Sequence, residues 1–206
     1  MIRNIVFDMG GVLLDYHPMT TCLRHAATAE DAQIIYDTLF MAPEWEEKLD
    51  GCYITEAEML EIAQDRLSTP ELKALCADIF EDYHMDALSP MKGMEEIIRS
   101  LHERGFRLFV LSNVGERIHQ FKHKIPAYEL FAGSLFSGEE KLLKPDPAIF
   151  HRLYEKFSLK PEECLFVDDR PVNTAAAESA GMAGYVLADA DTAALKRFLE
   201  GLLAVE

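Results

Sequence analysis

The sequence predicts an α/β protein: a Rossmann-like parallel sheet with helices on both faces, interrupted near its start by an all-helical insert. Three observations lead there. After residue 87, short β-branched and aromatic runs alternate with helical patterns, the rhythm of βαβ units and a parallel sheet. A further run of the same kind stands alone at the start of the chain. Between the two, apolar residues recur only at helical spacing. The right-handed crossover rule then places helices on both faces of the sheet. Segments 1–15 and 88–206 are expected to form the core, with 16–87 inserted between them.

The opening run is Ile5-Val6-Phe7, which suits a strand buried on both faces. It ends in a carboxylate, Asp8, and Gly10 and Gly11 let the chain turn at once. Helices are expected over 20–27, 30–39, 45–49, 56–67 and 70–85. Thr55 ahead of Glu56 and Glu58, and Thr69-Pro70, are start signals, and Asp50-Gly51 is a break. The segment from about 16 to 86 contains no convincing strand. A helix over 89–104 follows, closed by Gly105, then a strand over 106–111 ending in Ser112-Asn113. A helix at 116–124, a strand at 135–137 and a helix at 147–157 come next. The strand 164–167 ends in Asp168-Asp169, and the helix 172–180 runs to Gly181 as C-cap. A strand at 184–187 and a helix at 191–203 complete the pattern.

Composition narrows the function. The apolar share of 49% supports a full core, and the net charge of −16 disfavours nucleic acid and anionic membrane surfaces as partners. A phosphate ligand would have to be met by a few lysines or a metal, against the field of the whole molecule. Cys22, Cys52, Cys76 and Cys164 form no Cys-x-x-Cys pair and read as reduced thiols of a cytoplasmic protein. The first residues lack a leader pattern, and no run is long enough to span a membrane.

Four clusters carry chemistry. Ligands of open parallel sheets bind beyond the carboxyl ends of the strands, where Asp8 would sit. Phe-Val-Leu-Ser-Asn, 109–113, ends its strand in a hydroxyl, Ser112. In Lys-Pro-Asp-Pro, 144–147, the proline biases Lys144 to extended backbone, while Asp146 and Pro147 open the next helix. Lys141 is the alternative lysine. Asp168 and Asp169 are adjacent acids at the end of an apolar strand, costly unless paired or liganded.

In this order the clusters resemble the four motifs of the haloacid dehalogenase-like hydrolases. The insert is similar in length and position to the helical cap of that superfamily. The likeness is to the sugar-phosphatase branch with Asp-x-Gly in its first motif. It implies that Asp8 is the nucleophile and that Ser112, the Asn113 N–H and Lys144 hold the transferring phosphoryl group. It further implies that Asp168 holds Lys144, and that Mg²⁺ is bound by Asp8, the Gly10 carbonyl and Asp169. Asn173 falls where many members carry another acid.

One position departs from the pattern. Where most phosphatases of the superfamily have a second aspartate, two residues after the nucleophile, this chain has Gly10. General acid–base catalysis is worth about 10²–10⁴-fold. Its loss favours esters with good leaving groups, such as a hexose 1-phosphate, or calls for a substitute. Asp15 and His17, leading into the insert, are the candidates considered for that role. Trp45, Asp50, Gly51 and Tyr53 lie near a turn positioned to meet a sugar, although Trp45 also suits the insert's own core. The expected activity is thus a Mg²⁺-dependent phosphatase acting on a small phosphorylated metabolite through an aspartyl-phosphate, as a monomer or weak dimer. The alternatives are a non-catalytic phosphate-binding protein on the same fold and a 2-haloacid dehalogenase.

Overall fold

The computed structural model describes residues 1–203. Five parallel strands form the central sheet in the order β5-β4-β1-β6-β7. They are β1 (Asn4–Phe7), β4 (Arg107–Ser112), β5 (Gly133–Phe136), β6 (Cys164–Asp168) and β7 (Ala183–Val186). β1 is central, and Phe7 is level with Val110 of β4 and Val167 of β6. Every residue of β1 is buried.

Alternation along the strands divides the core. Ile5, Phe7, Leu108, Val110, Leu165 and Val167 face one side, with Ile97 and Ile98 of α5 (Met94–Glu103) and Leu195 of α10 (Thr192–Leu203). Val6, Phe109, Leu111 and Phe166 face the other, packed on Ile149, Phe150 and Leu153 of α8 (Pro147–Phe157) and on Ala177 of α9 (Pro171–Ser179). A sheet buried on both faces explains why its strands read as continuous apolar runs.

The helical insert holds α1 (Pro18–His25), α2 (Ala29–Ile35), α3 (Glu56–Asp65) and α4 (Pro70–Asp86). Two wide helical turns, Tyr36–Phe40 and Trp45–Leu49, lie between α2 and α3. Cys22, Ile35, Leu39, Met59 and Ile79 form the insert's own apolar centre. Thr55 and Glu58 close a reciprocal capping box on α3, and Thr69 caps α4 ahead of Pro70.

Two local expectations change. Leu14–Tyr16 (β2) and Leu88–Pro90 (β3) pair antiparallel, so the insert is joined to the core through a small ribbon. The helix expected from 89 therefore starts only at Met94, after Gly93 at φ 87°. Strands of three residues are too short to leave a period-two signal. The helix expected over 116–124 is one turn, α6 (Ile118–Phe121), followed by a tighter turn, Lys122–Lys124.

Arg117, buried at 6% exposed, ties the insert to the core. It donates to both carboxylate oxygens of Glu56 at 2.9 and 2.6 Å and to the carbonyls of Phe80 and Glu81 at 2.6 and 2.9 Å. Its guanidinium also lies over the Phe80 and Tyr83 rings. Ser137 opens α7 (Ser137–Glu140) and donates from Oγ to the Asp50 carbonyl at 2.5 Å. No helix among the described residues is long and apolar enough to cross a membrane.

Candidate active site

Parallel pairing brings the ends of β1, β4 and β6 to one edge, and the three motif clusters arrive together there. Asp8 follows β1 directly, and its N–H bonds the Val167 carbonyl at 2.9 Å. Gly11 turns the loop behind it at φ +70°. A Cβ on Gly11 would stand 2.6 Å from Asp169 Oδ2, so only glycine lets this loop lie against that acid.

Lys144 joins two of the acids. Its Nζ lies 2.8 Å from Asp8 Oδ1 and 2.7 Å from Asp168 Oδ2, and the ammonium is almost fully buried. Asn113 fixes the loop that carries it. The Asn113 amide donates to the Lys144 carbonyl at 2.9 Å and accepts from the Lys144 N–H at 2.8 Å. The peptide between Lys144 and Pro145 is cis. The sequence pattern points only to the Asn113 backbone; the side chain's clasp on Lys144 has no local sequence signal, because the two are distant in the chain.

Asp168 is saturated. Its carboxylate accepts from Lys144, from the Arg170 N–H at 2.8 Å and from Asn173 Nδ2 at 3.0 and 3.1 Å. Asp169 has no cation paired with it among the described residues. Burial raises its pKa and the neighbouring Asp168 raises it further. For Asp8, burial pushes the pKa up to about 6; Lys144 pulls it down and Asp168 opposes that pull. Burial works to lower the Lys144 pKa, but the two acids outweigh it and hold the ammonium above its ordinary value.

Asp8, Asp168 and Asp169 each offer an oxygen within 4.8 Å of the others. Three carboxylates around one lysine leave negative charge uncompensated, and an all-oxygen donor set suits a hard divalent cation. The buried Asn173 Oδ1 makes no hydrogen bond to the protein, leaving an acceptor for the water shell of such an ion. The site therefore fits a metal.

Asp8, Lys144 and Asp169 form the floor of a cavity of about 300 Å³, with Asp168 buried beneath them. Gly10, Ser112, Asn113 and Asn173 line it on the same side. The insert supplies the roof, where Phe40, Trp45 and Tyr83 form an aromatic wall with ring centroids 4.9, 5.2 and 5.7 Å apart. Asp50 lines the roof as well. Glu46 of the insert and Arg170 of the core pair across the cavity. His17 is not among the lining residues; its ring is 68% exposed and its Nε2 lies 2.9 Å from Asp15 Oδ1. Tyr53 is also outside the cavity, with its hydroxyl donating to the Lys141 carbonyl at 3.0 Å. Phe40, Tyr83 and Tyr16 line the cavity without having been singled out in the sequence, where they are ordinary apolar positions of helical or ribbon segments.

Comparison with known proteins agrees with this geometry. The family profile described as haloacid dehalogenase-like hydrolase matches residues 2–181. A sesquiterpene phosphatase of Aspergillus oryzae is 24% identical over 197 residues, covering 91% of this chain and 90% of its own. Haloacetate dehalogenase H-2 of a Moraxella species is 27% identical over 189 residues, covering 87% and 83%. Among solved structures, a HAD family enzyme of Bacteroides thetaiotaomicron in complex with magnesium and inorganic phosphate superposes with a TM-score of 0.67. It is 19% identical and covers 90% of this chain and 94% of its own. A likeness at that identity speaks for the fold alone.

Proposed function

The chain belongs to the haloacid dehalogenase-like hydrolases, and from that premise we propose that it is a Mg²⁺-dependent phosphatase of a small phosphorylated metabolite, working through an aspartyl-phosphate. The observation that carries this reading is the cluster of Asp8, Asp168 and Asp169 with Lys144 as its one buried cation. Displacement at a haloacid carbon and hydrolysis of the resulting ester need a nucleophile and a base, but no cation to draw anions together. Transfer of a phosphoryl group between anions needs a cation among them.

Asp8, the Gly10 carbonyl and Asp169 would hold Mg²⁺. When bound, that ion offsets the mutual repulsion of phosphate and carboxylates and polarises the phosphoryl oxygens. Asp8 is the nucleophile, lodged at the sheet edge with Oδ1 fixed by Lys144 and by the Met9 N–H at 2.7 Å. Lys144, Ser112 and the Asn113 N–H bind the transferring oxygens, where negative charge must be stabilised. Asp168 and Asn113 position Lys144. Residues 16–87 act as a cap over the core of 1–15 and 88–206, excluding bulk water and gripping the alcohol portion of the ester. The aromatic wall accepts the C–H face of a sugar or a flat apolar body, so hexose 1-phosphates and aryl phosphates lead the substrate screen. His17, exposed and outside the cavity lining, would meet only a substrate that extends beyond the cavity. The free thiols Cys22, Cys52, Cys76 and Cys164 suit a reducing cytoplasm, and a monomer or weak dimer suffices because one chain supplies every group named.

Hydrolysis of p-nitrophenyl phosphate with Mg²⁺ tests the reading. Turnover should fall by about 10⁴–10⁶-fold in Asp8→Asn, the scale of removing a nucleophile. Equal trace rates in both proteins would support the binding-protein alternative. Chloride release from a 2-haloacid, with no phosphate release from any ester, would support the dehalogenase.

A further inference from the structure

The floor of the cavity lacks an acid at Gly10, and the roof supplies one. A Cβ built on Gly10 meets nothing within 4 Å, so open space lies beside Asp8 where the family's second aspartate would stand. Asp50, from the insert, lines the same cavity. Its backbone is anchored at both ends. The N–H closes the wide turn on the Trp45 carbonyl at 3.0 Å, and the carbonyl accepts from the buried Ser137. Ser137 Oγ in turn accepts from the Val114 N–H at 2.8 Å, just beyond the end of β4. Gly51, next in the chain, is packed so closely that a Cβ would stand 2.7 Å from the Tyr53 ring. Asp50 is therefore set by the same framework that sets the floor.

No cation is spent on Asp50 among the described residues. Lys144 is held between Asp8 and Asp168, Arg170 pairs with Glu46, and Arg117 pairs with Glu56. The other groups whose charge it feels are Asp8, Tyr16, Tyr83 and Cys52. Burial holds its carboxyl well above the usual carboxylate range; a hydrogen bond from the Gly115 backbone opposes this and the Asp8 charge adds to it.

The geometry points to Asp50 as the general acid and base of the reaction, supplied by the insert in place of the aspartate missing at Gly10. This rests on the phosphatase reading above. In the first half-reaction an Asp8 oxygen bonds to phosphorus, the bond from phosphorus to the alcohol oxygen breaks, and the Asp50 carboxyl gives its proton to that departing oxygen. In the second, the Asp50 carboxylate takes a proton from water as the water oxygen bonds to phosphorus. The bond to Asp8 breaks, inorganic phosphate leaves, and both acids return to their starting states.

The test is the leaving-group dependence of Asp50→Asn. p-Nitrophenolate departs without a proton, whereas a simple alkoxide does not. Wild-type protein, Asp50→Asn and the double variant Gly10→Asp/Asp50→Asn are assayed for kcat/KM on p-nitrophenyl phosphate and on an alkyl phosphate such as glycerol 1-phosphate. The ratio of the two values is independent of how much of each preparation is folded. Asp50→Asn should lower the alkyl value by about 10²–10⁴-fold, and the aryl value far less. Gly10→Asp should restore much of the alkyl activity, since its side chain enters open space. In pre-steady-state assays, Asp50→Asn should release a burst of p-nitrophenolate as the phosphoryl-enzyme waits for water. An aryl-to-alkyl ratio equal to wild type, with no rescue, would overturn the assignment while leaving the phosphatase reading intact. If wild-type protein hydrolyses neither ester, it is the phosphatase reading that fails.

Discussion

Floor and roof of the cavity are held by different forces. On the floor, Lys144, Asp8 and Asp168 lie within 2.7–2.8 Å contacts, each group oriented by a charged partner. In the roof, Phe40, Trp45 and Tyr83 meet through ring edges and faces at 4.9–5.7 Å, with no hydrogen bond between them. Charge-assisted bonds fix atoms to within tenths of an ångström, as in-line phosphoryl transfer requires. Aromatic packing fixes a surface but tolerates different bodies against it. The division lets one reaction centre serve a substrate class chosen by the insert.

The comparison is broken most severely at Lys144. Lys144→Ala leaves Asp8 and Asp168 buried without their cation, so the fold should lose about 3–5 kcal/mol, read by urea denaturation. A pH limb should go with it. The Lys144 pKa is raised in the folded state, so its stabilisation is complete below the unfolded value, near 10.5, and fades as pH rises through the raised value. Wild-type stability should show this alkaline decline, and Lys144→Met should not.

Metal binding sharpens the floor's side. Mg²⁺ at about a hundred times its Kd should stabilise the fold by about 2.7 kcal/mol in a thermal melt. Asp169→Asn should abolish most of that gain. If the variant responds to Mg²⁺ as wild type does, Asp169 is not a ligand.

A smaller effect is expected in the roof. Trp45→Ala removes edge contacts with Phe40, Phe80 and Tyr83. It should cost about 1–3 kcal/mol and raise KM for aryl esters more than it lowers kcat. Equal KM for aryl and small alkyl esters in both proteins would remove the wall from substrate binding. The smallest effect marks the boundary of the site. Thr55→Ala opens the capping box of α3, at a cost of about 1 kcal/mol, and should leave kcat/KM unaltered.

The same contrast explains what could be read from the sequence. Asp8, Ser112 and Asp168-Asp169 stand at strand ends, where a continuous apolar run stops at a polar residue, and Lys144 is marked by the Pro-Asp-Pro that follows it. Parallel pairing then has to bring those ends together, so the floor was legible. The roof was legible only in part: Trp45 and Asp50 stood out beside the Gly51 break, whereas Phe40 and Tyr83 look like any apolar residue of an amphipathic helix. Which face they cover depends on how the insert folds back onto Arg117, Ser137 and Arg170. The β2–β3 ribbon escaped notice because three residues carry no period. Asp50 stood beside a visible Gly break, yet that it lines one cavity with Gly10 is a matter of tertiary packing alone.

The central claim is that Asp8 takes the phosphoryl group onto its own carboxylate. Acid quenching during turnover of p-nitrophenyl phosphate with Mg²⁺, followed by mass spectrometry of the peptide that carries Asp8, tests it most directly. The account predicts a phosphoryl adduct on that peptide in Asp50→Asn, where the second half-reaction is slowed, and none in Asp8→Asn. Phosphate release by Asp8→Asn at the wild-type rate, with no adduct in any variant, would contradict it.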